Sequence, residues 1–330
     1  MRYLWSATAL MLILCLLGSA FAQTLTVYSG RNEAFVEPVI EDFEAETGID
    51  VEVRYGDTAE LAATVLEEGE GSPADVFLAQ DAGALGALED AGRFAQLPDA
   101  TLEKVDNRFR SQEGAWVGVT GRARVIAYNT DNVSEDALPT SVFDLTDEQY
   151  QGRVGWAPTN GSFQAFVTAM RMVEGEERTR EWLEGMMSNG VQVYPNNSSQ
   201  VEAVGRGEID FGLVNHYYLF RFLAEQGEGF PVRNFYLQDA DIGSLVNVAG
   251  AGVLASSDQS ESARQFVDYL LSPNAQQHFA NEVYEYPLVA GIQTSPLLTP
   301  LSELQTPDID LSNLDDLEGT LLLLQEVGAL

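Results

Sequence analysis

Hydrophobic and polar positions along this chain alternate between two rhythms. Leu25 to Tyr28 is a short β-favouring run that ends in a Ser-Gly-Arg-Asn turn. Phe35, Val39, Phe43 and Ala45 then recur near helical spacing, Gly48 stops the pattern, and Ile49 to Arg54 alternates as a strand would. The result is a βαβ unit. The same grammar returns in a helix from Thr58 to Glu68, a strand Ala74 to Leu78, a loop at Ala79, Gln80 and Asp81, and a helix of small residues ending at Gly92. Alternating strands and helices of this length predict an α/β architecture, with a mostly parallel sheet covered on both faces.

A second set of units follows Trp116 to Asn129, a long β-favouring stretch. Strand Val154 to Trp156 precedes the turn Pro158 to Ser162, strand Val191 to Tyr194 precedes Asn196 and Asn197, and strand Ile209 to Val214 precedes Asn215 to Tyr218. Ser244 to Ala255 is another long β-favouring stretch, and the helices after it look like those of the first set. Two mostly parallel sheets joined by two crossing strands account for this order.

Composition narrows the function. The chain carries 17 Lys plus Arg against 51 Asp plus Glu, a formal charge of −34. No broad basic face can come from that balance, which excludes nucleic acid as a partner. The acidity reads as a solvated, self-repelling surface or as steering of cations. Residues 1–22 read as a secretory signal: Arg2 precedes an apolar run from Leu10 to Leu17, and Ala20-Phe21-Ala22 offers a small-x-small cleavage pattern. That run is too short to span a bilayer. Leu14 before Cys15 argues against lipoprotein processing, and cleavage after Ala22 removes the one cysteine of the chain. A mature start at Gln23 therefore excludes disulfides, thiolate metal sites and cysteine nucleophiles. The product is expected to be soluble and exported, periplasmic or secreted.

In open parallel sheets, ligands bind beyond the carboxyl ends of the strands. The candidate loops then hold Arg31 and Asn32; Gln80 and Asp81; Asn160, Gly161 and Ser162; Asn197; and Asn215 to Tyr218. Asn160-Gly161-Ser162 opens a helix over Phe163 to Val173 and suits an anion through its backbone N–H groups, or serves only as a cap. Asn197 and Asn215 share that ambiguity. The adjacent pair Tyr217-Tyr218 is more informative, because neighbouring side chains diverge in regular structure and converge only at a strand-to-helix junction, where this pair lies. The alternative has one ring buried and the other on the surface.

Phenolate is a hard anionic donor that matches ferric iron. Deprotonating a tyrosine of ordinary pKa, about 10, costs about 4 kcal/mol at pH 7. A strongly charged ion nearby offsets that cost for two side by side. An exogenous anion on the helix-start loops would complete the charge and the coordination. His216 adjoins the pair and could also ligate; His278 reads as a surface residue. Enzyme signatures are missing: there is no His-Glu-x-x-His, no Gly-x-Ser-x-Gly and no phosphate loop with Lys-Ser/Thr. Gly250 to Ala255 fits a loose dinucleotide pattern but opens no helix, and Asp239 with Asp241 begins a calcium loop that is not continued. A secreted hydrolase built on acidic pairs is the competing class.

At these loops the sequence resembles the periplasmic ferric-ion-binding proteins of ABC-type iron uptake. The resemblance covers nearly the whole mature chain and rests on Leu25 to Arg31, Gly71 to Phe77, Gly121 to Tyr128, Pro158 to Ser162, Tyr194 to Ser198, Gly207 to Asp210 and, above all, Asn215 to Tyr218. It implies a two-lobed type II binding fold, with residues 23–123 and 250–299 in one lobe and 124–249 and 300–330 in the other. It also implies Fe(III) on Tyr217 and Tyr218, with a synergistic anion held by groups matching Asn160, Gly161, Ser162, Asn197 and Asn215. The arginines matching Arg31 and Arg122 would favour a carbonate-like anion bound in bidentate fashion. Some members add a histidine and a glutamate from the first lobe, where this chain has Asn32 and Gln80; others have a tyrosine where Glu33 stands. Glu33, Tyr28 or Tyr194, or anion and water, would then complete the metal's ligands. The resemblance further implies a monomer without enzymatic activity that delivers iron to an ABC-type permease in the inner membrane. Binding proteins for phosphonates, other oxyanions or polyamines share the architecture and form the alternative.

Overall fold

The computed structural model describes residues 24–296 and 298–330, so the signal segment expected over residues 1–22 lies outside them. The first βαβ rhythm folds as β1 (Thr24–Ser29), α1 (Glu33–Thr47) and β2 (Asp50–Tyr55). Asn32 Oδ1 accepts from Ala34 N to start α1, and Gly48, at φ 73°, ends it. The apolar stripe Val36, Val39, Ile40 and Phe43 is buried. The chain continues through α2 (Thr58–Glu68), β3 (Val76–Ala79), α3 (Ala82–Asp90), the short α4 (Asp99–Leu102) and the long β4 (Val117–Asn129). Next come β5 (Val154–Trp156), α5 (Gly161–Glu174), α6 (Glu176–Ser188), β6 (Gln192–Val193), α7 (Asn197–Gly205), β7 (Phe211–Asn215) and α8 (Tyr217–Gln226). The last elements are β8 (Val232–Phe235), β9 (Val246–Val253), α9 (Ser260–Leu270), α10 (Pro273–His278), β10 (Tyr286–Pro287) and α11 (Leu317–Glu326).

The strands run in the order β2-β1-β3-β9-β4-β7-β5-β6. β4 changes partners midway. Val117 to Ala123 pairs with β9, whereas Arg124 to Tyr128 pairs with β7, and β8 also joins this second half. Two sheets therefore share β4, and the change falls between Ala123 and Arg124. Within each sheet the βαβ pairs are parallel: β1 with β2 and β3, and β5 with β6 and β7. The pairs made by β4 and β9 are antiparallel, because β4 runs on from the first sheet into the second and β9 enters the first sheet straight from the return link instead of over a helix.

Two boundaries differ from the expectation. β9 pairs only within the first sheet, starting at Val246, so the return crossing precedes Val246 instead of lying at Gly250. Residues 300–330 do not belong to the second half alone. Ser312 Oγ bonds Glu89 on the first-sheet side at 3.0 Å, and the Ser312 carbonyl lies so close to Gly86 that a Cβ there would meet it at 1.9 Å. The tail then crosses to α5, where Thr320 bonds Thr168 at 2.7 Å and Asp316 pairs with Arg171 at 2.8 Å. No local pattern in the sequence marks that crossing.

Aromatic packing fixes the start of α5. Trp156 meets Phe163 edge-on at 5.3 Å, and Trp182 of α6 meets Phe166 at 5.9 Å. Such pairs contribute about 0.5–1.5 kcal/mol each beyond their burial. They hold the helix start against the end of β5.

Candidate functional site

On the second-sheet side, three strand ends are joined by side-chain amides. Asn160 caps α5, and its Oδ1 accepts from Ser162 N at 3.1 Å, Ser162 Oγ at 2.5 Å and Asn197 Nδ2 at 3.2 Å. Asn197 Oδ1 in turn accepts from Asn215 N at 3.3 Å. The cap of α7 is Asn196, which frees the buried Asn197 for this chain of contacts. Gly161 is exposed at the cleft wall. Asn160, Ser162, Asn197 and Asn215 thus form one connected group rather than separate caps.

Only His216 separates β7 from α8, so Tyr217 and Tyr218 occupy the first turn. Their rings stack with centroids 4.4 Å apart and planes at 28°. Both phenols therefore lie on one side, with Tyr217 buried and Tyr218 half-buried, unlike the arrangement with one ring buried and one on the surface. Burial pushes the Tyr218 phenol well above its ordinary value, the charge of and hydrogen bond to Tyr217 push it further, and Arg122 pulls the other way.

His216 is fully buried and both ring nitrogens are occupied: Ala123 N donates to Nδ1 at 3.1 Å, and Nε2 lies 2.8 Å from the Tyr284 carbonyl. A nitrogen that accepts from an amide is unprotonated, so Nε2 carries the proton. Burial lowers the imidazole to about 4. A neutral ring held at both nitrogens positions the backbone before the tyrosines and has none left for a metal. His278 is half-buried against Phe279, not a surface residue.

Three guanidiniums surround the pair. Thr120, Arg122 and Arg124 occupy alternate positions on β4 and so one face of it. Arg122 Nη2 donates to the Gln80 carbonyl, whereas its buried Nε and Nη1 have no partner. Arg124 bonds Asn215 Oδ1 at 3.3 Å and the Leu213 carbonyl at 3.0 Å. Burial and the neighbouring Arg122 lower it to about 9, against the pull of both phenols. Arg31 Nη2 bonds both oxygens of Glu285 at 2.8 Å. Burial works against its charge, and Glu285 with the two phenols more than restores it. Arg124 and Glu285 were not among the candidates read from the sequence. The polar alternation of Thr120, Arg122 and Arg124 in an apolar strand could have pointed to Arg124; nothing local marks Glu285.

The first-sheet side is looser. Asn32 is exposed and caps its own helix, Glu33 is exposed beside it, and Asp81 caps α3. Burial pushes the Asp81 carboxyl up while Arg122 draws it down. A cleft of about 1080 Å³ lies between Arg31, Glu33 and Gln80 on this side and Asn160, Gly161 and Pro195 on the other. The tyrosines do not line it; Arg31 does. Tyr28 is placed elsewhere than a third phenolate would need: its hydroxyl donates to Glu68 at 3.1 Å and accepts from Arg54 at 3.2 Å. Tyr194 is also absent from the cleft wall and packs near Gly155. Among the described residues, no three His, Cys, Asp or Glu side chains gather as a metal-holding group, and no helix is long and apolar enough to cross a membrane.

A crossing-strand α/β fold with a cleft between its two halves defines a solute-binding protein. The profile of bacterial extracellular solute-binding proteins matches residues 71–307, and the chain belongs to that family. Its relatives there are periplasmic ferric-iron-binding proteins. The Fe(3+)-binding periplasmic protein of Serratia marcescens is 33% identical over 326 residues, spanning 98% of this chain and 96% of that one. The major ferric iron-binding protein of Neisseria meningitidis is 33% identical over 92% of each chain. Iron-bound HitA from Pseudomonas aeruginosa matches with a TM-score of 0.86 at 38% identity, over 93% of this chain and 99% of that one. A Trichodesmium protein in complex with iron and citrate matches with a TM-score of 0.82 at 30% identity, over 92% and 99%. The fold is the two-lobed type II periplasmic binding protein fold.

Proposed function

We propose that this protein captures Fe(III) together with a synergistic anion, outside the cytoplasm, and delivers it to an ABC-type permease. The observation that carries the reading is the stacked phenol pair, Tyr217 and Tyr218, set among Arg31, Arg122 and Arg124 at the helix starts. The relatives named for ferric iron support the metal, and the one solved with citrate supports an oxyanion beside it.

In this reading the two phenolates bind the ion. Arg122, with two buried donors unpaired, takes a carbonate-like anion in bidentate fashion, beside the group Asn160, Gly161, Ser162, Asn197 and Asn215. Arg31 adds positive charge from the first lobe. Glu33 at the mouth of the cleft is the first-lobe carboxylate that could reach the metal. Tyr217 is only 2% exposed, so the ion enters when the lobes part about β4 and the link 236–245. The lobes proposed are residues 24–123 with 246–299 and 124–245, with the tail bridging them. No covalent step is involved, and one chain contains the whole site.

Titrating the iron-free protein with ferric citrate should produce a visible phenolate-to-iron charge-transfer band. Binding must displace the Tyr218 proton, which burial holds tightly, so affinity is greatest at high pH and is lost as pH falls. Each proton displaced weakens affinity by about tenfold per pH unit, so two phenols losing theirs make the fall about a hundredfold per unit. No band, with heat of binding for a phosphonate or polyamine instead, would replace this reading.

A further inference from the structure

Glu285 is a fully buried carboxylate, and the backbone that delivers it is unusual. The chain passes through a π-helical turn, Phe279–Val283, and then Tyr284 in the left-handed region at φ 60°. Bulky residues seldom adopt that conformation, and both features concentrate at functional sites. Tyr284 is held there by the His216 ring on its carbonyl and by stacking on Phe220 at 5.2 Å. β10 then pairs Tyr286 with Gly121 and Pro287 with Thr120, which sets Glu285 beside the arginine-bearing face of β4. Both oxygens of Glu285 take Arg31 Nη2 at 2.8 Å, and one takes Thr120 Oγ1 at 2.5 Å. Its charge reaches Tyr218.

A buried ion pair is weak evidence for stability, because desolvation cancels much of the attraction. What this one does is fix the place and the charge of a guanidinium. We propose that Glu285 is a positioning residue that selects the anion accompanying the metal. It grips Arg31 beside the phenols and cancels one of the three guanidinium charges there, favouring a carbonate-like dianion over a more highly charged one such as citrate. The proposal rests on the reading of the site as one for Fe(III) with an anion.

The test measures iron affinity from the charge-transfer band, with carbonate alone and with citrate alone, in wild type, Glu285→Gln, Glu285→Asp and Arg31→Gln. Competition by free citrate is the same for every variant, so the citrate-to-carbonate ratio compares them directly. Glu285→Gln adds one net positive charge beside the anion and should move the ratio roughly tenfold towards citrate. Glu285→Asp keeps the charge and should restore the wild-type ratio. Arg31→Gln should move it the other way, and decides the matter if Glu285→Gln does not fold. A ratio unmoved in the folded variants, with only a lower melting temperature, makes Glu285 structural and overturns the proposal while leaving the iron reading intact. A wild type with no band under either anion rejects both.

Discussion

The two sides of the cleft are built to different standards. On the second-sheet side, Asn160, Ser162, Asn197, Asn215, Tyr217 and Tyr218 are held by one another and by Arg124, so their geometry exists before any ligand arrives. On the first-sheet side, Asn32 and Asp81 spend their side chains capping their own helices, and Glu33 is exposed. The groups that side places firmly are cationic: Arg31, and Arg122 from the first half of β4. Pre-organisation lowers the ordering cost of binding, so the second lobe should hold metal and anion first while the first lobe closes on them with charge.

That contrast breaks most visibly at the tyrosines. The double variant Tyr217→Phe, Tyr218→Phe should abolish the charge-transfer band and weaken iron binding by roughly a hundredfold or more, since each lost charged ligand is worth at least the roughly 1.5–3 kcal/mol of a charge-assisted bond. A double variant that keeps colour and affinity would mean the ordered side is not the one that binds. Arg122→Gln probes the cationic contribution of the other side. It removes the two unpaired donors and should raise the anion concentration needed for iron loading by about ten- to a hundredfold, from the same bond strength. Loading that is indifferent to Arg122 would put the anion wholly on the helix starts. Asn160→Ala is milder: losing the cap should cost about 1 kcal/mol of stability, read as a lower unfolding midpoint in urea. A larger anion requirement should accompany it if the amide chain acts as one unit.

The same division explains what the sequence disclosed. The second-lobe site lies at strand ends followed directly by helix starts, a local grammar of asparagine, glycine and apolar runs, so Asn160, Asn197, Asn215 and the tyrosine pair are legible from their neighbours alone. Two sheets and two crossings between them were legible for the same reason, because periodicity is local. Glu285 was not, for it meets Arg31 across 254 residues, and the left-handed turn at Tyr284 uses no glycine to announce it. His216 looked like a possible ligand because proximity in sequence says nothing of which atoms its nitrogens meet. The tail that crosses both halves was missed because its anchors, Gly86 and Arg171, carry no signal until packing brings Ser312 and Asp316 onto them.

The smallest expected effect is the sharpest check on the looser side. Tyr28 ends in a hydroxyl shared between Glu68 and Arg54, with the Arg54 guanidinium 4.9 Å from its ring centroid. Leaving that network to join a metal would strand a carboxylate and a guanidinium that it now links. Tyr28→Phe should therefore leave the position and intensity of the charge-transfer band and the iron affinity unchanged, at a stability cost of about 1 kcal/mol or less for a partly exposed hydrogen bond. A band that shifts or fades in this variant would show that the first lobe rebuilds its polar groups on closing. The site would then draw phenolates from both lobes, and the division between an ordered binding wall and a cationic lid would fail.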